Sequence, residues 1–159
     1  MSVRSRRALR AGVISDTHGL MRPEALAALH GSDVILHAGD IGSADILAAL
    51  EAIAPVTAIR GNNDGAAWAS AIPEHRVVDL NGAQIYLLHD RNELDRYPPP
   101  ESCNVIVTGH SHRPLVEWRD GVLYLNPGSA GPRRFRLPVT IARLTLGREV
   151  DAEVVTLFA

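Results

Sequence analysis

The run Leu9-Arg10-Ala11-Gly12-Val13-Ile14-Ser15-Asp16-Thr17-His18 is an apolar segment of strand length that breaks off in polar side chains. Residues 9–15 read as a strand, and residues 23–29, opened by Pro23 in the first turn, read as a helix. Residues 34–38 form a short apolar run of the buried-strand type. A helix with Ser43 as N-cap follows to about residue 53, stopped by Pro55. Residues 56–60 supply a third strand. The resulting β-α-β-α-β order predicts a parallel sheet.

Beyond residue 75 the pattern changes. Residues 76–80 and 83–89 flank Asn81-Gly82, the strongest two-residue hairpin signal. A polar loop over residues 90–102, carrying Pro98-Pro99-Pro100, leads to an apolar strand at 105–108. Asp120-Gly121 marks another hairpin between 115–119 and 122–125, and residues 139–146 and 150–158 make a last antiparallel pair around Gly147. The composite is a parallel α/β half followed by a mostly antiparallel half. It suggests two sheets packed face to face with helices outside.

The 159 residues fit one domain over 9–159, preceded by a flexible basic arm over 1–8. Hydrophobic residues make up 46%, charged residues 21%, and the net charge is -2, so no electrostatic field favours polymeric nucleic acid or an anionic membrane as partner. All sixteen basic residues are arginine. A single cysteine, Cys103, excludes an internal disulfide, suits a reducing cytoplasm, and reads as a small buried apolar residue. Arg6-Arg7 has the look of a twin-arginine signal, but Asp16 and His18 cut the apolar stretch short and leave no export h-region. No run approaches the ~20 apolar residues of a membrane helix.

Five motifs then fall in order: Asp16-Thr17-His18, Gly39-Asp40, Gly61-Asn62-Asn63-Asp64, His89, and Gly109-His110-Ser111-His112. Asp16, Asp40 and Asn62 each lie just past the carboxyl end of an expected parallel strand, the edge where loops converge on ligands in open α/β sheets. His89 and His110 likewise follow apolar strands. Asp16, His18, Asp40, Asn62, His89, His110 and His112 thus offer seven oxygen and nitrogen donors, enough for two divalent ions sharing one carboxylate. Asp40, with two carboxylate oxygens, can bridge them. Donors without thiolate point to Mn, Fe, Zn, Ni or Mg.

The ordered blocks Asp-x-His, Gly-Asp, Gly-Asn, His and Gly-His-x-His resemble those of the calcineurin-like metallophosphoesterases. The small bacterial and archaeal phosphodiesterase branch looks nearest, because Asn126-Pro127-Gly128-Ser129 followed by Pro132-Arg133 is similar to a segment of that branch. The resemblance spans roughly residues 10–135. It implies a four-layer α/β/β/α sandwich of two mixed sheets, the metallo-dependent phosphatase fold. It also implies two divalent ions, Mn as first choice, with Asp16, His18 and His112 on one, Asn62, His89 and His110 on the other, and Asp40 bridging. On this reading Asp40 and His110 carry catalytic roles. Asp64 and His37 are either residues that orient the ligands or an ordinary turn aspartate and packed strand histidine. Asn62 and Arg133 would touch substrate; Arg60 and Arg134 are further phosphate candidates, and His30 and His75 match no block.

Two departures from the family pattern stand out. Many superfamily members have histidine after the metal-binding asparagine, where it can protonate the leaving group. This chain has Asn63, and an amide cannot deliver a proton. Asp90 follows His89 where glycine is common. The expectation is a dinuclear phosphodiesterase that hydrolyses small or nucleotide-like phosphodiesters by in-line attack of a metal-bridging hydroxide. The alternatives are a non-catalytic scaffold on the same fold, as in the retromer subunit that resembles these enzymes, or a phosphomonoesterase. Self-association into a homo-oligomer is also among the expectations.

Overall fold

The computed structural model describes residues 7–159. Most of the basic arm expected over 1–8 lies outside the described residues; Arg7 pairs with Asp33 at 2.9 Å.

The first strands and helices follow the apolar pattern. Strand β1 (Leu9–Ile14), helix α1 (Pro23–Leu29), β2 (Val34–His37), α2 (Ala44–Glu51) and β3 (Val56–Ala58) form the expected unit, with β1, β2 and β3 parallel. Ser43 stands at the N-cap of α2 with extended backbone, but its side chain makes no capping bond. Helix α2 ends at Glu51, a little earlier than the sequence suggested, as the chain turns toward Pro55.

The second half contributes β4 (His75–Leu80), β5 (Ala83–Leu88), β6 (Val105–Val107), β7 (Leu115–Arg119), β8 (Val122–Asn126), β9 (Val139–Leu146) and β10 (Val150–Phe158). Both Asn-Gly and Asp-Gly turns are present, with left-handed backbone at Asn81, Gly82, Asp120 and Gly121, as type I′ hairpins require. The strands do not segregate by half, however. The order is β10-β9-β1-β2-β3 in one sheet and β4-β5-β6-β8-β7 in the other, so the final hairpin joins the first sheet, antiparallel to β1. In the second sheet β6 lies parallel to both β5 and β8. The long segment between β5 and β6 makes this possible, since a hairpin turn forces antiparallel pairing and a long crossover does not.

The two mixed five-stranded sheets pack face to face. Val13, Leu36, Ile59 and Leu144 of the first meet Ile85, Leu87, Val107 and Leu125 of the second in one buried cluster. Full burial of each such side chain contributes about 1.5–3 kcal/mol. Ala25 and Leu29 of α1 and Ile46 and Leu50 of α2 cover the opposite face of the first sheet against Ile14, Ile35 and Ile141. The outer face of the second sheet is covered more thinly. There Tyr86, Leu88, Ile106 and the buried Cys103 pack against Leu94 and Tyr97 of the loop that carries the short 3-10 turn Arg91–Glu93. Among the described residues no helix is long and apolar enough to cross a membrane.

Candidate metal centre

The strand ends of both sheets meet at one edge of the sandwich. The loops after β1 and β2 are zipped together by Asp16 N–H to Gly39 O at 3.0 Å and His18 N–H to Asp40 O at 2.9 Å. From the second sheet, Gly109 N–H donates to His89 O at 2.9 Å and ties the loop after β6 to the end of β5. Each donor loop must reverse sharply to aim its side chain inward. Asp16, His18, Asp40, His110 and His112 accordingly all have left-handed backbone, with φ between 47° and 67°. For residues with a Cβ this costs on the order of 1–2 kcal/mol each, a strain sustained by the bonds between loops.

Asp16 lies at the middle of the cluster. Its Oδ1 is 3.4 Å from His112 Nε2, 3.7 Å from His18 Nε2 and 3.8 Å from His89 Nε2. Asp40 Oδ2 stands 3.2 Å from His89 Nε2 and 3.8 Å from His18 Nε2. Two groups therefore have metal-binding dimensions: Asp16, His18 and His112, and Asp16, Asp40 and His89. Asn62 and His110 are exposed and lie outside both groups, although His110 places its ring 5.3 Å from that of His89.

The donor set fits divalent cations on its own geometry. Asp16 Oδ1, His18 Nε2 and His89 Nε2 are buried and make no aligned hydrogen bond among the described residues. Buried polar atoms left this way are costly, and convergence of several on one point is what a cation satisfies. His89 is already in the right tautomer: its Nδ1 is 2.7 Å from Ala38 O, which can only accept, so Nδ1 carries the proton and Nε2 faces the carboxylates. Burial disfavours a charged His89 imidazole, yet the adjacent Asp40 and Asp16 outweigh it and push it up to about 9. Burial also raises the Asp16 and Asp40 carboxyls, but His112 and His89 on one and His89, Asn63 and His18 on the other hold both below the ordinary carboxylate range.

A ring of supporting residues fixes these ligands. Ser15 Oγ donates to Asp16 Oδ2 at 2.6 Å, and His110 N–H donates to the same oxygen at 3.1 Å. Asn63, though exposed, is tied to the cluster: its backbone N–H and side-chain Nδ2 hold Asp40 Oδ1 and Oδ2 at 3.0 and 3.2 Å. Asp64 accepts from the backbone N–H groups of Ile41, Gly42 and Gly61, so it braces the loops around Asp40 and not the ligand atoms themselves. His37 Nδ1 accepts from Gly39 N–H, leaving Nε2–H for Thr17 Oγ1. Burial pushes His37 down to about 4, and the residue is a neutral tie between two donor loops. Gly61 and Gly109 are required by close approach, since a Cβ would strike the Asp40 carboxylate at one and Ser15 and Asp16 at the other.

Further supports come from the Asn126-Ser129 segment. Asn126 Nδ2 donates to Gly109 O and to Ser111 Oγ, and Ser129 Oγ donates to Asp16 O. The Asn-Pro-Gly-Ser segment thus holds the His110-His112 loop and the Asp16 loop together, a task that sequence resemblance did not state. Arg133 is exposed and donates to Ala159 O at 2.7 Å, and it lines neither cleft beside the cluster. Arg60 does line one of them. His30 and His75 are exposed and outside the cluster.

Comparison with known proteins places these features in context. A sequence model of the calcineurin-like phosphoesterase superfamily domain matches residues 9–149. A probable metallophosphoesterase of Methanothermobacter thermautotrophicus is 33% identical over 156 residues, covering 91% of this chain and 90% of its own. A phosphodiesterase of Methanocaldococcus jannaschii is 26% identical over 139 residues, covering 76% of this chain and 83% of its own. Among solved structures, vacuolar protein sorting 29 of Cryptosporidium parvum matches with a TM-score of 0.76 at 19% identity, over 96% of this chain and 99% of that one. At that identity the likeness concerns the fold alone.

Proposed function

The chain belongs to the calcineurin-like phosphoesterase superfamily, and from that premise we propose that it is a phosphodiesterase using two divalent metal ions, Mn as first choice. The observation that carries this reading is the convergence of Asp16, His18, Asp40, His89 and His112, whose ligand atoms face one another across 3.2 to 3.8 Å, with Asp16 Oδ1, His18 Nε2 and His89 Nε2 buried and unsatisfied. Asp16, His18 and His112 would hold one ion and His89, with Asn62 and His110, the other, with Asp40 standing beside both at 3.8 Å from His18 and 3.2 Å from His89. When bound, such ions lower the pKa of a water and neutralise phosphoryl oxygens.

A preference for esters with good leaving groups follows from what the chain's own residues do. Asn63, at the place of a proton donor in many relatives, is committed to Asp40 through both its amides. Without a donor there, departure of the ester oxygen depends on its own low basicity, which favours aryl and nucleotide-like esters over unactivated alkyl monoesters. The test is hydrolysis of bis(p-nitrophenyl) phosphate with Mn, Ni, Zn, Fe or Mg added. Turnover is expected to vanish in Asp40→Asn, while faster turnover of unactivated monoesters overturns the diester assignment.

The structural likeness to vacuolar protein sorting 29 favours one other reading, a non-catalytic scaffold on the same fold. Tight metal binding without turnover of any ester in the panel supports that reading over the enzyme.

A further inference from the structure

We infer that Arg60 grips the phosphoryl oxygens of the substrate and that the carboxylates around it bias the site toward singly charged esters. The inference rests on the phosphoesterase reading and names the charge class of its substrate.

Arg60 lies just past β3, two residues before Asn62, and its backbone N–H is fixed to Pro73 O at 2.9 Å. Its Nε is buried without a hydrogen-bond partner, and its guanidinium has no recorded hydrogen bond or ion pair among the described residues. The similarly half-buried Arg22 and Arg91 differ: Arg22 donates to Gly131 O and Arg91 pairs with Glu117. A guanidinium carries five N–H donors and no acceptor, and one of them closed off from solvent and left unmet, as at Arg60 Nε, is costly. The partner that suits it is a planar or tetrahedral oxyanion, bound by two parallel N–H groups.

The surroundings specify which oxyanion. Arg60 lines a cleft of about 240 Å³ together with Asn62, His89 and His110, three of the proposed metal ligands. An oxygen held there by Arg60 therefore lies beside the metal centre. The same cleft is bordered by Glu74, Asp90 and Glu93, whose negative charges offset part of the positive charge that Arg60 and a bound metal ion present to an anionic substrate. A phosphodiester brings one negative charge to this balance, whereas a monoester near neutral pH brings close to two. The second charge meets the carboxylates at a distance where like charges repel by a few tenths of a kcal/mol to about 1 kcal/mol each. A larger adjoining cleft of about 590 Å³ shares only His110 and Asp90 with the first, so a diester lying across that ridge has room for its second arm.

The experiment titrates dimethyl phosphate, a singly charged diester, into wild type, Arg60→Lys and Arg60→Gln, with and without Zn, following the 31P resonance. Separate metal titrations and thermal unfolding establish that the variants are folded and loaded. Dimethyl phosphate binding is expected to weaken about tenfold or more in Arg60→Gln and less in Arg60→Lys, with metal affinity unchanged. With bis(p-nitrophenyl) phosphate the loss should fall on KM more than on kcat. Glu93→Gln should raise kcat/KM for p-nitrophenyl phosphate about threefold relative to the diester. Dimethyl phosphate binding that is absent or equal in wild type and Arg60→Gln overturns the inference, whatever the turnover. Arg60-dependent binding in a protein that hydrolyses no ester upholds it and overturns the phosphoesterase reading instead.

Discussion

The donor cluster has a buried part and an open part, and the fold treats them differently. Asp16, Asp40, His89 and His112 are at most 5% exposed, whereas Asn62 and His110 face solvent at the mouths of the two clefts. Three of the four buried donors are fastened by other residues: Asp16 by Ser15, Asp40 by Asn63, His89 by Ala38 O. The His110 ring has no hydrogen bond among the described residues; the Asp90 carboxylate stands 3.8 Å from its Nε2 and the His89 ring 5.3 Å away. The buried donors thus form a rigid receptor assembled by folding itself, and the open donors are left free to respond to what binds. The largest expected effect tests the first half of this contrast. Asp16→Asn should lower metal affinity more than a hundredfold, since it removes charge from the carboxylate common to both groups, and even loss of a residue that only orients a ligand costs 10–100-fold. Isothermal titration with Zn or Mn measures it. An Asp16→Asn loss no greater than that of Asn62→Ala breaks the contrast.

The bracing behind the buried donors is expected to matter for stability as well as for metal. Asp64→Ala strips an acceptor from the N–H groups of Ile41, Gly42 and Gly61 at once. Charge-assisted bonds of this kind are worth about 1.5–3 kcal/mol each, and the three share one carboxylate, so a loss of about 3 to 5 kcal/mol is expected. Urea unfolding of the metal-free protein reads it. A loss below 1 kcal/mol would mean that water or a shifted loop serves those amides equally well.

His37 gives the bracing a pH signature. Its imidazole is held neutral down to about 4 by burial, against an ordinary value of 6.5. Between those values the unfolded chain takes up a proton that the folded protein refuses, so stability falls as pH drops from 6.5 toward 4. The contribution is about 3 kcal/mol over that interval. His37→Gln keeps a side-chain N–H for Thr17 but has nothing to titrate. Its unfolding free energy should therefore decline less steeply with acid than that of wild type, and parallel pH profiles for the two proteins would refute the assignment.

These effects separate what the sequence disclosed from what it hid. The strands β1, β2 and β3 were legible because buried parallel strands are continuous apolar runs, and the hairpins were legible because Asn81-Gly82 and Asp120-Gly121 are chosen by local turn geometry. The same left-handed backbone at Asp16, His18, Asp40, His110 and His112 had no such local mark. It is imposed by bonds between loops far apart in the chain, such as Asp16 to Gly39 and Asn126 to Gly109. The entry of β9 and β10 into the first sheet was hidden for a related reason: a hairpin's pattern reveals its own turn and not the sheet it joins. The lack of an acid at Asn63 is visible in its residue type, whereas its grip on Asp40 is not. Arg133 was favoured over Arg60 by its place after Asn-Pro-Gly-Ser, whereas the cleft and the unmet Nε belong to Arg60.

The smallest effect concerns the open donors. Asn62 and His110 are exposed enough for water to occupy a vacated position, so removing either should weaken metal binding only about tenfold, roughly 1.4 kcal/mol. The two need not behave alike toward substrate. Asn62 lines only the smaller cleft, with Arg60, whereas His110 stands on the ridge common to both. Asn62→Ala should therefore act on diesters of every size similarly, while His110→Ala should hurt diesters with a large second arm more than dimethyl phosphate. Binding of dimethyl phosphate and of a dinucleotide to each variant separates these cases. Equal losses for both ligands in both variants would show that the ridge does not divide the two clefts in function.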